Sequence, residues 1–272
     1  SPDLKPEKSR SITLGAVFQP IRNVSLSVDY FNIKKTDAIT SLSSGVALQA
    51  YYAGNPIPAG YTIIPDAADP AHPGALPRVA YVQSHYVNAN TQKAEGIDFA
   101  ANGRFRFGDV TWTSNLDATL MLELSTTLPD GTRQTYVDTL GNFNLTAGTG
   151  TFRWRGSWMN SFAIGNYSLT GTANYTSGYN LSAMDQGNAY EDCGLAPSPA
   201  YTGCRVKSYF TFDLNATAKI ADKFTIYANV LNLFDRLPGV DPVTYGAYLY
   251  NPVQAGDNIY GRRFTVGAKL NF

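Results

Sequence analysis

Apolar and polar residues alternate one by one through much of the chain. The final segment shows this most clearly, because Phe264, Val266, Ala268, Leu270 and Phe272 occupy one face and only Thr, Gly, Lys and Asn lie between them. A period of two predicts β-strands. The pattern predicts nine strands, at residues 12–18, 24–32, 94–102, 112–123, 152–164, 167–175, 210–220, 224–230 and 264–272. Only residues 43–52 suggest a helix, which we expect to be short and to lie in a loop.

The connectors between these strands alternate strictly in length. The short ones are residues 20–23, 103–109, 165–166 and 221–223, and the long ones are residues 38–91, 125–149, 177–207 and 236–260. A soluble sandwich also alternates apolar and polar residues, but it has no reason to place every long loop at one end. Outer-membrane barrels have short periplasmic turns and long extracellular loops. The spacing therefore predicts an all-β, antiparallel transmembrane barrel.

Aromatic residues of the apolar faces concentrate at the strand ends. With the short turns as the periplasmic end, the lower set is Phe18, Trp112, Tyr167, Phe224 and Phe272, and the upper set is Tyr30, Phe152, Tyr175, Phe210 and Phe264. Aromatic rings are favoured at both membrane interfaces, which predicts two girdles around a lipid-covered band. The opposite, polar faces would then line the lumen.

Composition narrows the range of functions. Lys+Arg and Asp+Glu are both 21, so the net charge is zero, which argues against nucleic-acid binding. No apolar run approaches the roughly 18 residues of a transmembrane helix, and strands of a barrel do not need one. We find no catalytic constellation. Asp66, Asp69 and His72 share a loop but match no firm metal motif, so we expect no enzyme activity, metal or cofactor.

The odd number of strands has a topological consequence. Single-chain bacterial barrels have an even number, with both termini in the periplasm. If Phe272 ends a descending strand, the first of nine strands also descends, and Ser1 begins outside. We therefore expect residues 1–272 to be the C-terminal portion of a larger barrel whose first strands lie elsewhere.

Several motifs, in this order, carry a family resemblance. They are LKPEKS at residues 4–9, SITLG at 11–15, AEGID at 94–98, NLFD at 232–235, and GRRF, which opens the final strand, at 261–264. Together they resemble the TonB-dependent receptors of the Gram-negative outer membrane, over nearly the whole chain. The resemblance implies about nine strands of a barrel of about 22, closed around an N-terminal plug domain that is absent from this chain.

Three groups of residues are candidates for a functional role. Arg153, Arg155, Asp213, Lys219 and Lys269 are predicted to face the lumen and bind the plug or line a substrate path. Loop aromatics that could stack on a ligand, or pack on one another, are Tyr190, Tyr201, Tyr245, Tyr248 and Tyr250. Cys193 and Cys204 lie in one Gly/Pro-rich stretch, and a local disulfide in an oxidising compartment is the better interpretation than two free thiols.

The resemblance implies ligand-gated active import of a scarce, bulky solute. The implied partners are the plug and remaining strands, a TonB-type energy transducer, outer-membrane lipids and lipopolysaccharide, and the barrel-assembly machinery. That machinery would recognise the final strand by Phe264, Val266, Ala268, Leu270 and Phe272. A passive porin, or a barrel that anchors a surface binding or adhesion module, is the alternative. An iron chelate, a vitamin, an oligosaccharide and a peptide all remain open as substrates.

Overall fold

A computed structural model describes residues 4–41, 44–58, 60–128, 131, 133–140, 150–181, 204–220, 223–241 and 250–270. Strands dominate this part of the chain, and the helices are short. The strands are β1 (Lys8–Ile21), β2 (Val24–Ser41), β3 (Tyr61–Pro65), β4 (Val79–Ser84), β5 (Tyr86–Phe107), β6 (Val110–Thr127), β7 (Arg133–Thr135), β8 (Trp154–Ile164), β9 (Tyr167–Thr176), β10 (Tyr179–Asn180), β11 (Arg205–Val206), β12 (Tyr209–Ile220), β13 (Phe224–Leu231) and β14 (Arg263–Leu270). The helices are α1 (Ser44–Tyr52) and α2 (Pro252–Ala255), and a 3-10 helix (Gly256–Tyr260) follows α2.

One large sheet contains all nine strands that the alternation predicts. Among the described residues its order is β1-β2-β5-β6-β8-β9-β12-β13-β14, with β7 added beside β6. The neighbours from β6 to β14 pair antiparallel. The predicted all-β, antiparallel fold is therefore confirmed. The order follows the chain, as expected when each long or short connector returns to the adjacent strand.

The pairing register keeps the apolar residues on one continuous face. One row crosses six strands with an apolar residue in each, namely Trp112, Phe162, Leu169, Ala216, Ala228 and Val266. In the chain alone this face is uncovered, since Phe162 is 48%, Leu169 47% and Val266 76% exposed. An apolar face of this extent needs a covering layer, and the sequence predicts that the layer is lipid.

The next row along the strands lies on the opposite face and is polar throughout. It consists of Thr113, Ser161, Thr170, Asn215, Asn229 and Thr265. Its members bond to one another across strands: the Thr170 hydroxyl donates to Ser161 Oγ at 2.8 Å, and the Asn215 side-chain amide donates to that of Asn229. The two faces therefore differ in chemistry along the whole width of the six strands.

The tight turns lie at one end of the sheet strands, which we call the turn end; the opposite end is the loop end. Two-residue turns join β1 to β2 at Arg22-Asn23 and β8 to β9 at Gly165-Asn166. The connector predicted at residues 103–109 is shorter than expected. β5 continues to Phe107, and Gly108, with a positive φ of 60°, makes the turn with Asp109.

The chain divides into two compact units. Unit 1 is Ser1–Arg10, Lys34–Gln92 and Thr126–Arg133, and unit 2 is the remainder. In unit 1, α1 confirms the predicted loop helix, and a β3–β4 hairpin, which the alternation did not predict, accompanies it.

Several charged side chains of unit 1 are paired with one another. Lys35 Nζ lies 2.7 Å from Glu7 Oε2, and this ammonium, together with the backbone N–H of Ile39, lowers the pKa of Glu7. Asp69 accepts from His72 at 3.0 Å. Asp66 pairs with Arg78. Within the described ranges no three His, Cys, Asp or Glu side chains are grouped as a metal site would require.

The buried apolar core of unit 2 lies at the loop end, although the nearby ends of β9 and β12 also contain buried residues. A core of Leu140, Phe152, Tyr179, Leu181 and Val206 is almost completely buried. The prediction that Phe152 belongs to the upper aromatic girdle is wrong, because β8 starts two residues later and Phe152 packs against Tyr179 with ring centroids 5.9 Å apart. The apolar-face aromatic at this level is Trp154, which is 39% exposed and stacks on Phe99.

Four other residues of the predicted girdles are well exposed, in agreement with the prediction. Phe18, Tyr167, Tyr175 and Phe264 are 64%, 64%, 44% and 70% exposed. Trp158, however, stands further along its strand and is 50% exposed, so the aromatic band is broader than two narrow rings. Phe272 lies outside the described residues. No helix in the described ranges has the length and apolar character needed to cross a membrane.

Neighbouring residues of β12 allow a direct test of the two faces. Ala216→Arg places a charge on the apolar face and should destabilise the folded barrel in lipid by about 2–4 kcal/mol. Thr217→Arg, one residue along and on the polar face, should cost far less. Urea unfolding of the intact protein in lipid vesicles measures both. Equal costs would contradict the assignment of the faces.

Candidate functional site

A cavity of about 740 Å³ lies against the polar face of unit 2. Polar-face residues of four adjacent strands form one wall, and the segment Val253 to Gly256 contributes another. The strand residues on the polar side are Asp117, Thr119, Met121, Arg155, Ser157, Asn174, Thr176, Tyr209 and Thr211. A volume of this size is typical of small-molecule sites. The cavity is therefore the candidate functional site.

A chain of hydrogen bonds holds α2 in place beside the cavity. The buried Tyr179 hydroxyl donates to Asp241 Oδ2 at 2.6 Å, and the Asn251 side-chain amide donates to the same oxygen at 3.2 Å. Asn251 is also the N-cap of α2, since its Oδ1 accepts from the Val253 backbone N–H. The amide of Gln254 then donates to the Lys207 carbonyl at 2.9 Å, which ties the helix to the residues before β12.

A second group of bonds fixes the neighbouring short strands. Arg205 donates to Asn180 Oδ1 at 2.8 Å and to Asp138 Oδ2 at 3.2 Å. β10 and β11 pair antiparallel beside the buried core. The loop-end segments of unit 2 thus form a small packed structure with its own core and buried polar contacts. This structure, rather than the sheet, sets the position of the Gln254 side of the cavity.

Two opposite charges on the cavity wall have no partner. Asp117 and Arg155 are its only charged lining residues among those described, and neither makes an ion pair or side-chain hydrogen bond there. Asp117 lies opposite Ser157 and Thr119 lies opposite Arg155, so the two charges are diagonal neighbours on β6 and β8. Both are exposed to the cavity side of the sheet. They are free to contact a bound group.

A buried acceptor at the same cavity also lacks a donor. Gln254 is 5% exposed, and its Oε1 atom has no hydrogen-bond partner. A buried acceptor left unpaired costs about 1–3 kcal/mol, so such atoms usually receive a hydrogen from water or a ligand. The cavity lining therefore combines an unpaired cation and an unpaired carboxylate among the described residues, whereas the unpaired Gln254 oxygen is buried within the protein.

The predicted lumen residues do not form one site. Arg155 lines the cavity, and Arg153 precedes β8 and is exposed. Lys219 and Lys269 flank Thr225 in one polar-face row at the turn end. Their contact with a plug stays a prediction.

Asp213 is held within the barrel wall. Its carboxylate accepts from the Asn174 amide at 2.9 Å and from the Asn232 backbone N–H at 2.8 Å. Asn232 is fully buried with a φ of 52°, and its side chain both donates to the Arg236 carbonyl and accepts from the Arg236 N–H. The Asn-Leu-Phe-Asp motif thus ends β13 by a side-chain clamp. The structure gives Asp213 a role in this clamp.

The other predicted groups are only partly described. Tyr250 forms an isolated bridge with Val240, whereas Tyr190, Tyr201, Tyr245 and Tyr248 lie outside the described residues. Phe264, Val266, Ala268 and Leu270 lie together on the apolar face of β14, opposite Val230, Ala228, Ile226 and Phe224. Recognition of this strand by the assembly machinery stays a prediction.

Asp117 and Gln254 are site residues that the sequence did not predict. Asp117 is one of several polar residues of its strand, and the alternation of apolar and polar residues does not rank them. Gln254 had a local signal, because Asn251-Pro252 is a helix start with an N-cap followed by proline. Nothing local indicated that this helix would line the same cavity as Arg155.

Comparison with protein-family models shows which family has this architecture. The model described as TonB dependent receptor-like, beta-barrel, matches residues 1–233. The chain belongs to this family. TonB-dependent receptors are outer-membrane β-barrels, so the apolar face of this chain is the lipid-facing surface. No curated protein sequence matched the chain.

Solved structures of receptors share the fold of this TonB-dependent receptor chain. The siderophore receptor PirA of Acinetobacter baumannii has a TM-score of 0.57 at 19% identity, covering 99% of the chain and 32% of PirA. The outer membrane transporter YddB of Escherichia coli has 0.57 at 14%, covering 100% and 33%. A mutant of the ferric enterobactin receptor of Pseudomonas aeruginosa has 0.56 at 17%, covering 99% and 32%. The chain thus spans about a third of these proteins, and the likeness shows the fold alone.

The clamp at the end of β13 should matter for stability. Asn232→Ala removes both side-chain bonds to Arg236 and places alanine at positive φ, so we expect a loss of about 2–4 kcal/mol. Asn232→Gly removes the bonds without the conformational penalty and should cost about 1 kcal/mol less. Urea unfolding of the intact receptor distinguishes them. A neutral Asn232→Ala would show that the clamp is dispensable.

The predicted disulfide can be tested chemically. Cys204 packs beside the loop-end core, and Cys193 lies outside the described residues. Alkylation of the unfolded receptor should label neither cysteine before reduction and both afterwards, as read by mass spectrometry. Labelling without a reductant would mean that the pair is not joined.

Proposed function

We propose that this chain is the C-terminal part of a receptor that imports a ligand actively across the outer membrane. The supporting observation is the family match together with a polar face that carries a partly covered cavity. A lumen with such a site suits capture of a ligand before transport. Free diffusion would need an open polar channel instead.

The rest of the receptor would supply what residues 1–272 do not. A plug domain and the first strands would complete a barrel of about 22 strands. β1, whose residues are all exposed, and β14 are the two ends of the described sheet and would pair with those strands. Phe272 would then be periplasmic, and the loop end, with α2 and the cavity, would face the outside.

Transport would depend on a TonB-type transducer that contacts the plug. Arg153, Lys219 and Lys269 are the polar-face cations best placed to hold the plug, because no described side chain neutralises them. Assembly into lipid and lipopolysaccharide would use the apolar face, with β14 as the strand that the assembly machinery recognises. The structural relatives include siderophore receptors, but at 13–19% identity their ligands are not carried over.

Uptake with and without energisation tests this function. In cells that express the intact receptor, accumulation of its ligand should require an active TonB-type protein and should stop when the proton gradient is collapsed. The receptor in liposomes should not leak small solutes. Passive leakage without the transducer would replace the proposal with a porin, and ligand binding without any uptake would indicate a surface binding module.

A further inference from the structure

The charge on the cavity wall restricts what can bind there. Asp117 and Arg155 cancel, so the described lining has no net charge. A polyanionic ligand such as a ferric catecholate would need several cations, and the described residues of the wall offer one. An apolar ligand would leave both charges unpaired, at a high cost in desolvation.

The hydrogen-bonding groups of the wall call for a ligand that both donates and accepts. Asp117 only accepts, whereas Arg155 only donates. Ser157, opposite Asp117, adds a hydroxyl that can do either. A ligand hydroxyl also does either, so a molecule with several hydroxyls can satisfy all of these groups at once.

The cavity also has apolar surface between its polar groups. Met121, Phe152 and Val253 are part of the lining. Saccharide rings carry hydroxyls at their edges and C–H groups on their faces, which fits a wall of mixed character. A volume of about 740 Å³ is within the range of sites that hold small molecules.

From these observations we infer that the cavity between α2 and the polar face of β6 and β8 binds a neutral, polyhydroxylated ligand, a short oligosaccharide. Arg155 donates to ligand hydroxyls, and Asp117 accepts from them. The inference rests on the proposed function, since it names the substrate class of the same receptor. A zwitterionic peptide is the main rival, because its carboxylate and ammonium groups could pair with Arg155 and Asp117.

Titration calorimetry on the intact receptor in detergent tests the assignment. The probes are maltotriose, cellotriose and xylotriose, with dialanine and a ferric tris-catecholate for contrast. At least one trisaccharide should bind. Arg155→Gln and Asp117→Asn should each weaken its binding about tenfold, the usual effect of losing a hydrogen bond to a charged group.

Matched control variants make the same substitutions at residues far from the cavity. Arg106 and Asp109 lie beside the β5–β6 turn, at the turn end of the sheet. Arg106→Gln and Asp109→Asn should therefore leave the affinity for the trisaccharide unchanged.

The remaining outcomes separate this inference from the proposed function. Binding of dialanine or the ferric catecholate instead of any trisaccharide, with loss in Arg155→Gln, would overturn the assignment while import could stand. If no trisaccharide binds, and if the Arg155 and Asp117 variants change the protection of the N-terminal domain from protease, the oligosaccharide assignment is overturned. The two residues would then contact the plug. Trisaccharide binding without energised uptake would support the site and refute active import.

Discussion

Everything in this chain depends on the strand register. A shift of one residue between two strands would move every side chain of one strand to the other face. The observed pairing avoids this across six strands, so that the row from Trp112 to Val266 is apolar and the next row, from Thr113 to Thr265, is polar. The lipid-facing surface and the polar wall of the cavity both follow from this one alignment of backbone hydrogen bonds.

The sheet does not bury a core, and this explains where the buried residues lie. One face of a barrel wall is covered by lipid and the other by the lumen contents, so neither packs against a second layer of the same chain. Leu140, Tyr179 and Leu181, each exposed by no more than 1%, instead gather where the loop-end segments meet. Rigid loops position binding groups well. The bonds from Tyr179 through Asp241 to Asn251 give α2 such a rigid support.

Polar residues within the wall divide into two kinds. Asp213 is saturated by Asn174 and by the backbone of Asn232, and it helps to end β13. Arg155, in contrast, has no partner in the described residues and lines the cavity. The two looked equivalent as predicted lumen residues, yet one stabilises the wall and the other is available to a ligand. Partners, rather than the face alone, distinguish them.

The sequence alone determined the strands, their faces, the alternation of short and long connectors, and the family, because these depend on periodicity and on local motifs. The helix at residues 43–52 and the strand that ends near Phe272 were also predictable in this way. The sequence-based prediction was wrong for Phe152, because the alternation of apolar and polar residues extends to residues that precede the start of β8 at Trp154. Only the tertiary structure decided that α2 lines the same cavity as Asp117 and Arg155, because these residues are far apart in the sequence. No local pattern encodes this arrangement, which arises from the packing of the loop-end segments.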